Sequence, residues 1–116
     1  MNRIFRQNES SMCMAVLNFL NYMPRTRAWR METTGMPRRP ADGSYRLVRN
    51  RERRGKPDIA GFKGLTGFLI ELKMPGEGLT PEQELWRSDF VDRTGAGDRI
   101  AVCHGVDEVQ QFWEKL

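Results

Sequence analysis

The chain has 116 residues, 39% of them apolar and 29% charged, with a formal net charge of +4. That length suits a single domain over residues 1–116, with one core, and leaves too little for two. No stretch approaches the roughly 20 apolar residues that cross a bilayer, and the N-terminal arginines are not followed by an apolar run with a small-residue cleavage site. No membrane partner or signal peptide is therefore expected, and a cytoplasmic location is.

A helix is predicted from about Asn8 to Tyr22. Met12, Val16, Phe19, Leu20 and Met23 recur at helical spacing, Asn8 or Ser10 caps the start, and Pro24 stops it. Glu9 falls on the apolar face of this helix, near its N-terminal end. A carboxylate aimed at a core needs a reason: dipole compensation in the first turn, or a metal or active site. Cys13 and Cys103 lack metal-knuckle spacing and read as buried, reduced thiols.

A short strand is expected around Arg27 to Glu32, a loop from Gly35 to Gly43, and a second short strand from Ser44 to Arg49. Between Arg25 and Lys56 the chain carries eleven basic residues against three acidic ones, a net +8 that leaves −4 for the remainder. Such concentration is the electrostatic footprint of a phosphate-binding surface. Arg30, Arg51, Arg53, Arg54 and Lys56 are the expected nucleic-acid contacts, touching phosphates, which position a partner without reading its sequence. Residues 50–56 are expected to be mobile without that partner.

Two strands follow, Pro57 to Lys63 and Thr66 to Lys73, flanking Gly64-Leu65. Gly at the first central position suits a two-residue type II′ turn. In that register paired residue numbers sum to 129, which sets Asp58 opposite Glu71. Phe68, Ile70 and Leu72 then face one side of the strand and Leu69, Glu71 and Lys73 the other. A slip of one residue would scatter both sets.

Met74 to Gly78 is predicted to be a loop. Thr80-Pro81-Glu82-Gln83 reads as a helix start, with Thr80 as cap, Pro81 at the first position and Gln83 completing a capping box. Leu85, Trp86 and Phe90 are expected to form that helix's buried stripe, and Gly95 to Gly97 its end. Arg99 to Cys103 reads as a buried strand. A last helix from about Val106 buries Val109, Phe112, Trp113 and Leu116. Trp29, Trp86 and Trp113 are expected to fill core positions, and His104 to end the strand before it. The order α-β-β-β-β-α-β-α predicts an α/β fold, a mixed central sheet flanked by helices on both faces.

Two carboxylates facing one another repel unless something positive joins them. A hard divalent cation does so with oxygen ligands and several waters, and it activates water against a phosphodiester. The ammonium of Lys73, on the same face as Glu71, suits the attacking water or the charge of the transition state. The bland alternative is an ordinary salt-bridge cluster on an exposed strand.

Pro57-Asp58, twelve intervening residues and Glu71-Leu72-Lys73 resemble the motif of the PD-(D/E)xK nuclease superfamily. Gly55-Lys56-Pro57-Asp58-Ile59, Ile70-Glu71-Leu72-Lys73 and Leu79-Thr80-Pro81-Glu82-Gln83 more closely resemble the virus-type replication-repair nuclease domain, VRR-NUC. The Glu9 helix and Trp29-Arg30 also fit, so the resemblance spans nearly the whole chain. It implies a restriction-endonuclease-like core and a Mg²⁺- or Mn²⁺-dependent endonuclease. Asp58, Glu71 and the Leu72 carbonyl would hold the metal, Lys73 would act on water or transition state, Glu9 would reach the site directly or through water, and Gln83 would stand near the catalytic lysine. Stand-alone members resemble phage and bacterial enzymes that act as homodimers on branched DNA such as Holliday junctions, in replication, recombination or repair. No nucleotide cofactor is expected. Two other readings remain open at this point: a non-catalytic DNA-binding module of the same fold, and a subunit that cuts only with a partner protein.

Overall fold

A computed structural model describes residues 8–31, 36–38, 46–48 and 55–116. The first helix, α1 (Glu9–Tyr22), starts where the sequence places it. The Asn8 side chain accepts from the Ser11 N–H, the Ser11 hydroxyl accepts from the Asn8 N–H, and the two close a capping box. Met12, Cys13, Val16 and Leu20 bury its apolar stripe. Glu9 is exposed, contrary to the expectation that it faces the core. It is the first helical residue, a turn ahead of Met12, so the buried stripe begins after it.

Strand β1 (Thr26–Arg30) returns along the helix through a turn in which Arg25 takes a φ of +57°. Asn21 ties the two together with both ends of its amide: Oδ1 accepts from the Ala28 N–H at 2.9 Å and Nδ2 donates to the Ala28 carbonyl at 3.1 Å. Two short strands follow, β2 (Met36–Arg38) and β3 (Arg46–Val48), paired antiparallel as a separate ribbon. The predicted Gly35–Gly43 loop is thus corrected, since it contains β2. A Gly/Pro-rich segment hides a three-residue strand because so short a run carries no periodicity.

The central hairpin joins β4 (Ile59–Lys63) to β5 (Thr66–Leu72) in the predicted register, Ile59 opposite Ile70 and Lys63 opposite Thr66. Gly64 has φ +58° and Leu65 is not among the positive-φ residues, the pattern of a type II′ turn. Helix α2 (Pro81–Thr94) crosses over and ends at Gly95, left-handed at φ +67°. A short 3₁₀ turn leads into β6 (Ile100–Cys103), which pairs parallel with β5, and α3 (Val106–Glu114) follows.

The result is an α/β fold around a four-stranded mixed sheet, ordered β1-β4-β5-β6. Ala28, Ile59, Phe68, Ile70, Leu72 and Cys103 point to one face and build the core with α1 and α3. The second face carries Trp29, Ala60, Phe62, Leu69 and Glu71, and α2 covers only its β6 side. Both thiols are buried and free, and burial pushes Cys103 up to about 12.

Helix α2 departs most from expectation. Leu85 is 72% exposed, and Trp86 and Phe90 are half-buried and stacked on each other with ring centroids 5.5 Å apart. No residue of α2 is fully buried. The helix lies over a sheet edge instead of in the core, so the predicted stripe is only partly used. Trp29 likewise leaves its predicted core position and is 44% exposed, because among the described residues no helix covers its part of the strand face. Trp113 does pack against the core. Its indole N–H donates to Thr26 Oγ1, and the Lys63 ammonium sits 3.9 Å from its ring centroid and donates to its carbonyl. Among the described residues no helix is long and apolar enough to cross a membrane.

Candidate active site

The end of the β4–β5 hairpin gathers the predicted carboxylates. The β1–β4 pairing continues one step past both strands, where the Met31 N–H donates to the Asp58 carbonyl at 2.7 Å. Asp58 is thereby fixed from β1. Its carboxylate turns to β5, where Oδ2 accepts from the Leu72 N–H at 2.8 Å. That bond replaces a missing rung of the ladder with a side chain and seats the carboxylate beside Glu71.

Glu71 and Lys73 are the two buried charged residues among those described, 5% and 7% exposed. Glu71 Oε1 accepts from the Gln83 amide at 3.0 Å, while Oε2 is buried with no hydrogen-bond partner among the described residues. Burial is the main reason its carboxyl is pushed up to about 9. The close approach of the Asp58 carboxylate and its charge add to the rise, Lys73 opposes it, and Glu9 raises it a little further. An orphaned carboxylate oxygen held against a second carboxylate is costly unless a proton or a cation joins them.

Gln83 resolves two readings into one. Its Oε1 accepts from the Thr80 N–H at 2.9 Å, and Thr80 Oγ1 accepts from the Gln83 N–H, the capping box expected from the sequence. Its Nε2 holds Glu71. A Glu at this position would cap equally well but would bring a third carboxylate instead of a donor. Gly55 locks this helix start against the site. A Cβ on it would stand 2.4 Å from the Glu82 carbonyl oxygen. Gly55, Glu71, Gln83 and Trp86 line one narrow void beneath α2.

The remaining predicted residues are placed as follows. Glu9, Arg30 and Asp58 all act on the buried Cys13 thiol, whose pKa burial raises, so three elements bring these charges to one end of the sheet. Glu9 stays at the periphery, reaching Glu71 by charge and, among the described residues, by no hydrogen bond. Among the described residues no three His, Cys, Asp or Glu side chains close around one point. The convergent pair is Asp58 and Glu71. Arg30 is exposed and Lys56 half-exposed at the same end. Arg51, Arg53 and Arg54 lie outside the described residues.

No family model, curated protein or solved structure matches this chain. The reading of the site therefore rests on its own chemistry.

That chemistry fits a hard divalent cation. Asp58 keeps one carboxylate oxygen clear of the Leu72 bond, Glu71 presents an orphaned oxygen, and Mg²⁺ or Mn²⁺ is satisfied by two carboxylates with waters and a backbone carbonyl such as that of Leu72. His104, set aside from the sequence, has a structural part. It follows β6, its Nε2 lies 3.0 Å from the Glu77 carbonyl and its Nδ1 3.3 Å from Glu108, joining the loop after Lys73 to α3. Those two acceptors raise its pKa, the Glu77 carbonyl first. Sequence reading missed Asn21 and the structural role of Gly55, whose partners are distant elements.

Proposed function

We propose that this protein is a Mg²⁺- or Mn²⁺-dependent endonuclease that hydrolyses DNA phosphodiester bonds, acting inside the cell on branched DNA. The observation that carries the reading is the orphaned Oε2 of Glu71, buried beside Asp58 with Lys73 on the same strand. A structural salt-bridge cluster has no use for an unpartnered carboxylate oxygen in so buried a place. The basic segment between Arg25 and Lys56 supplies the matching affinity for phosphate.

In this reading Asp58 and Glu71 hold the cation, which supplies charge neutralisation on the scissile phosphate and a lowered pKa for water. Gln83 fixes the rotamer of Glu71 through its amide N–H, so that the second oxygen stays directed at the site. Lys73 orients the attacking water and stabilises the added negative charge as the phosphorus–oxygen bond to the leaving group breaks. Glu9 adds negative potential from the rim, by charge or through water. Arg30 and Lys56, with Arg51, Arg53 and Arg54, bind the flanking phosphates.

The test is cleavage of matched substrates (linear duplex, single strand, 5′ flap, splayed arm and four-way junction) with Mg²⁺ and with Mn²⁺. Metal-dependent cutting is expected, reduced at least ~100-fold by Lys73→Ala and by Asp58→Asn, in line with loss of one transition-state contact. Metal should also raise the melting temperature of the wild type and of Lys73→Ala but not of Asp58→Asn. Binding without cutting in any metal would favour a DNA-binding module. Paired symmetric nicks in a four-way junction would make the active form a homodimer, since each nick needs its own site.

A further inference from the structure

The half of the second sheet face that α2 leaves uncovered is an open groove of about 450 Å³, within the range of small-ligand clefts. Trp29 and Phe62 form its floor, 44% and 49% exposed, with ring centroids 6.2 Å apart and planes tilted by 34°. Leu69, Phe90 and Arg99 line the rest. The register places Asp58, Ala60 and Phe62 on the same side of β4, so the groove and the carboxylate pair share one surface. Four residue steps of strand separate Asp58 from Phe62, about 13 Å.

We propose that this groove is a stacking platform for the unpaired bases of a DNA strand, which it leads towards Asp58 and Glu71. The proposal rests on the nuclease reading and narrows its substrate class to branched DNA with a single-stranded arm. Two large rings left about half in water are poor packing and good stacking surface. Base–aromatic stacking tolerates any sequence, as a structure-directed enzyme requires. The charge is complementary to a phosphate backbone. Arg99 lines the groove, Arg27 stands beside Trp29 on the same face of β1, and no acidic side chain is among the described lining residues. A second copy suits the groove less well. Two-fold pairing would bring two copies of Arg27 and Arg99 into one interface with no carboxylate among the described lining residues to pair with them.

The experiment is binding in EDTA, without cleavage, to a 20-base-pair duplex that is blunt or carries a twelve-nucleotide thymidine tail. The tailed duplex is expected to bind more tightly. Trp29→Ala and Phe62→Ala should each lower the ratio of tailed to blunt affinity about tenfold, and Trp29→Phe should keep most of it. Tryptophan quenching by the free tail should be largely lost in Trp29→Phe. A ratio unchanged by both alanine variants overturns the proposal, as does a wild-type dimer in sedimentation that Phe62→Ser splits. Because the binding needs no metal, the two readings fail separately. Lost ratio with no cleavage in any metal leaves the platform standing without the nuclease. Cleavage with an unchanged ratio does the reverse.

Discussion

Replacing Glu71 by Gln is expected to make the metal-free protein more stable while removing its activity. The Glu71 carboxyl is pushed up to about 9, mainly by burial. From the unfolded value of 4.5 up to that point the folded chain holds a proton that the unfolded chain has released. Stability therefore falls as pH rises through this window, by at most ~1.4 kcal/mol per pH unit for one proton. Glu71→Gln deletes the slope and should leave the variant on the order of 2 kcal/mol more stable than the wild type at pH 8 in EDTA. Urea melts of both proteins at pH 5, 6.5 and 8 check this, and parallel curves would show that Glu71 ionises normally. Saturating Mg²⁺ or Mn²⁺ should invert the order, because ligand at a hundred times its Kd adds ~2.7 kcal/mol to the protein that binds it. Gain of stability with loss of cleavage is the signature of a residue kept for function against the interest of the fold.

The second large effect concerns a residue that carries no chemistry. Gly55 has a φ of +78°, and its missing Cβ would stand 2.4 Å from the Glu82 carbonyl oxygen and 2.7 Å from its carbon. Both are backbone atoms at the start of α2 and cannot rotate away. Gly55→Ala must push the helix start off the site, and Gln83 moves with it. A loss of about 3 kcal/mol is expected, strain and overpacking together, with cleavage falling at least ~10-fold in the protein that remains folded. Gly76 supplies the control. Its φ is +85° but nothing lies within 4 Å of a Cβ there. Gly76→Ala should cost ~1 kcal/mol from backbone strain alone and leave cleavage intact. Equal effects of the two substitutions in thermal melts and in cleavage would remove the helix-displacement account.

What was legible in the sequence is what short-range chemistry dictates. Asn8 and Thr80 mark their helix starts because a cap is a contact within three residues. Gly64 sets the hairpin register because a two-residue turn leaves one pairing, and that register brings Asp58 to Glu71. Features decided by distant partners were not legible. Leu85 and Trp29 look like core residues by pattern, yet which sheet face receives a helix depends on where α2 lands. Asn21 reads as an ordinary polar helix position until β1 arrives to take both ends of its amide. Glu9 has the right spacing for the apolar stripe, but a helix of 14 residues overhangs the core at its first turn.

The hairpin that builds the site is also the most local strand pairing in the sheet. Its two strands are joined by Gly64-Leu65 alone, whereas β5 meets β6 only after the whole of α2 has been laid down between them. Hairpins close in microseconds and parallel crossovers later. A hairpin that closes first brings Asp58 and Glu71 together before Gln83 is in place to hold Glu71. The repulsion then falls on the folding barrier as well as on the final state. Refolding in EDTA should slow from pH 6 to pH 9, and a divalent cation should act as a folding catalyst for the wild type but not for Glu71→Gln.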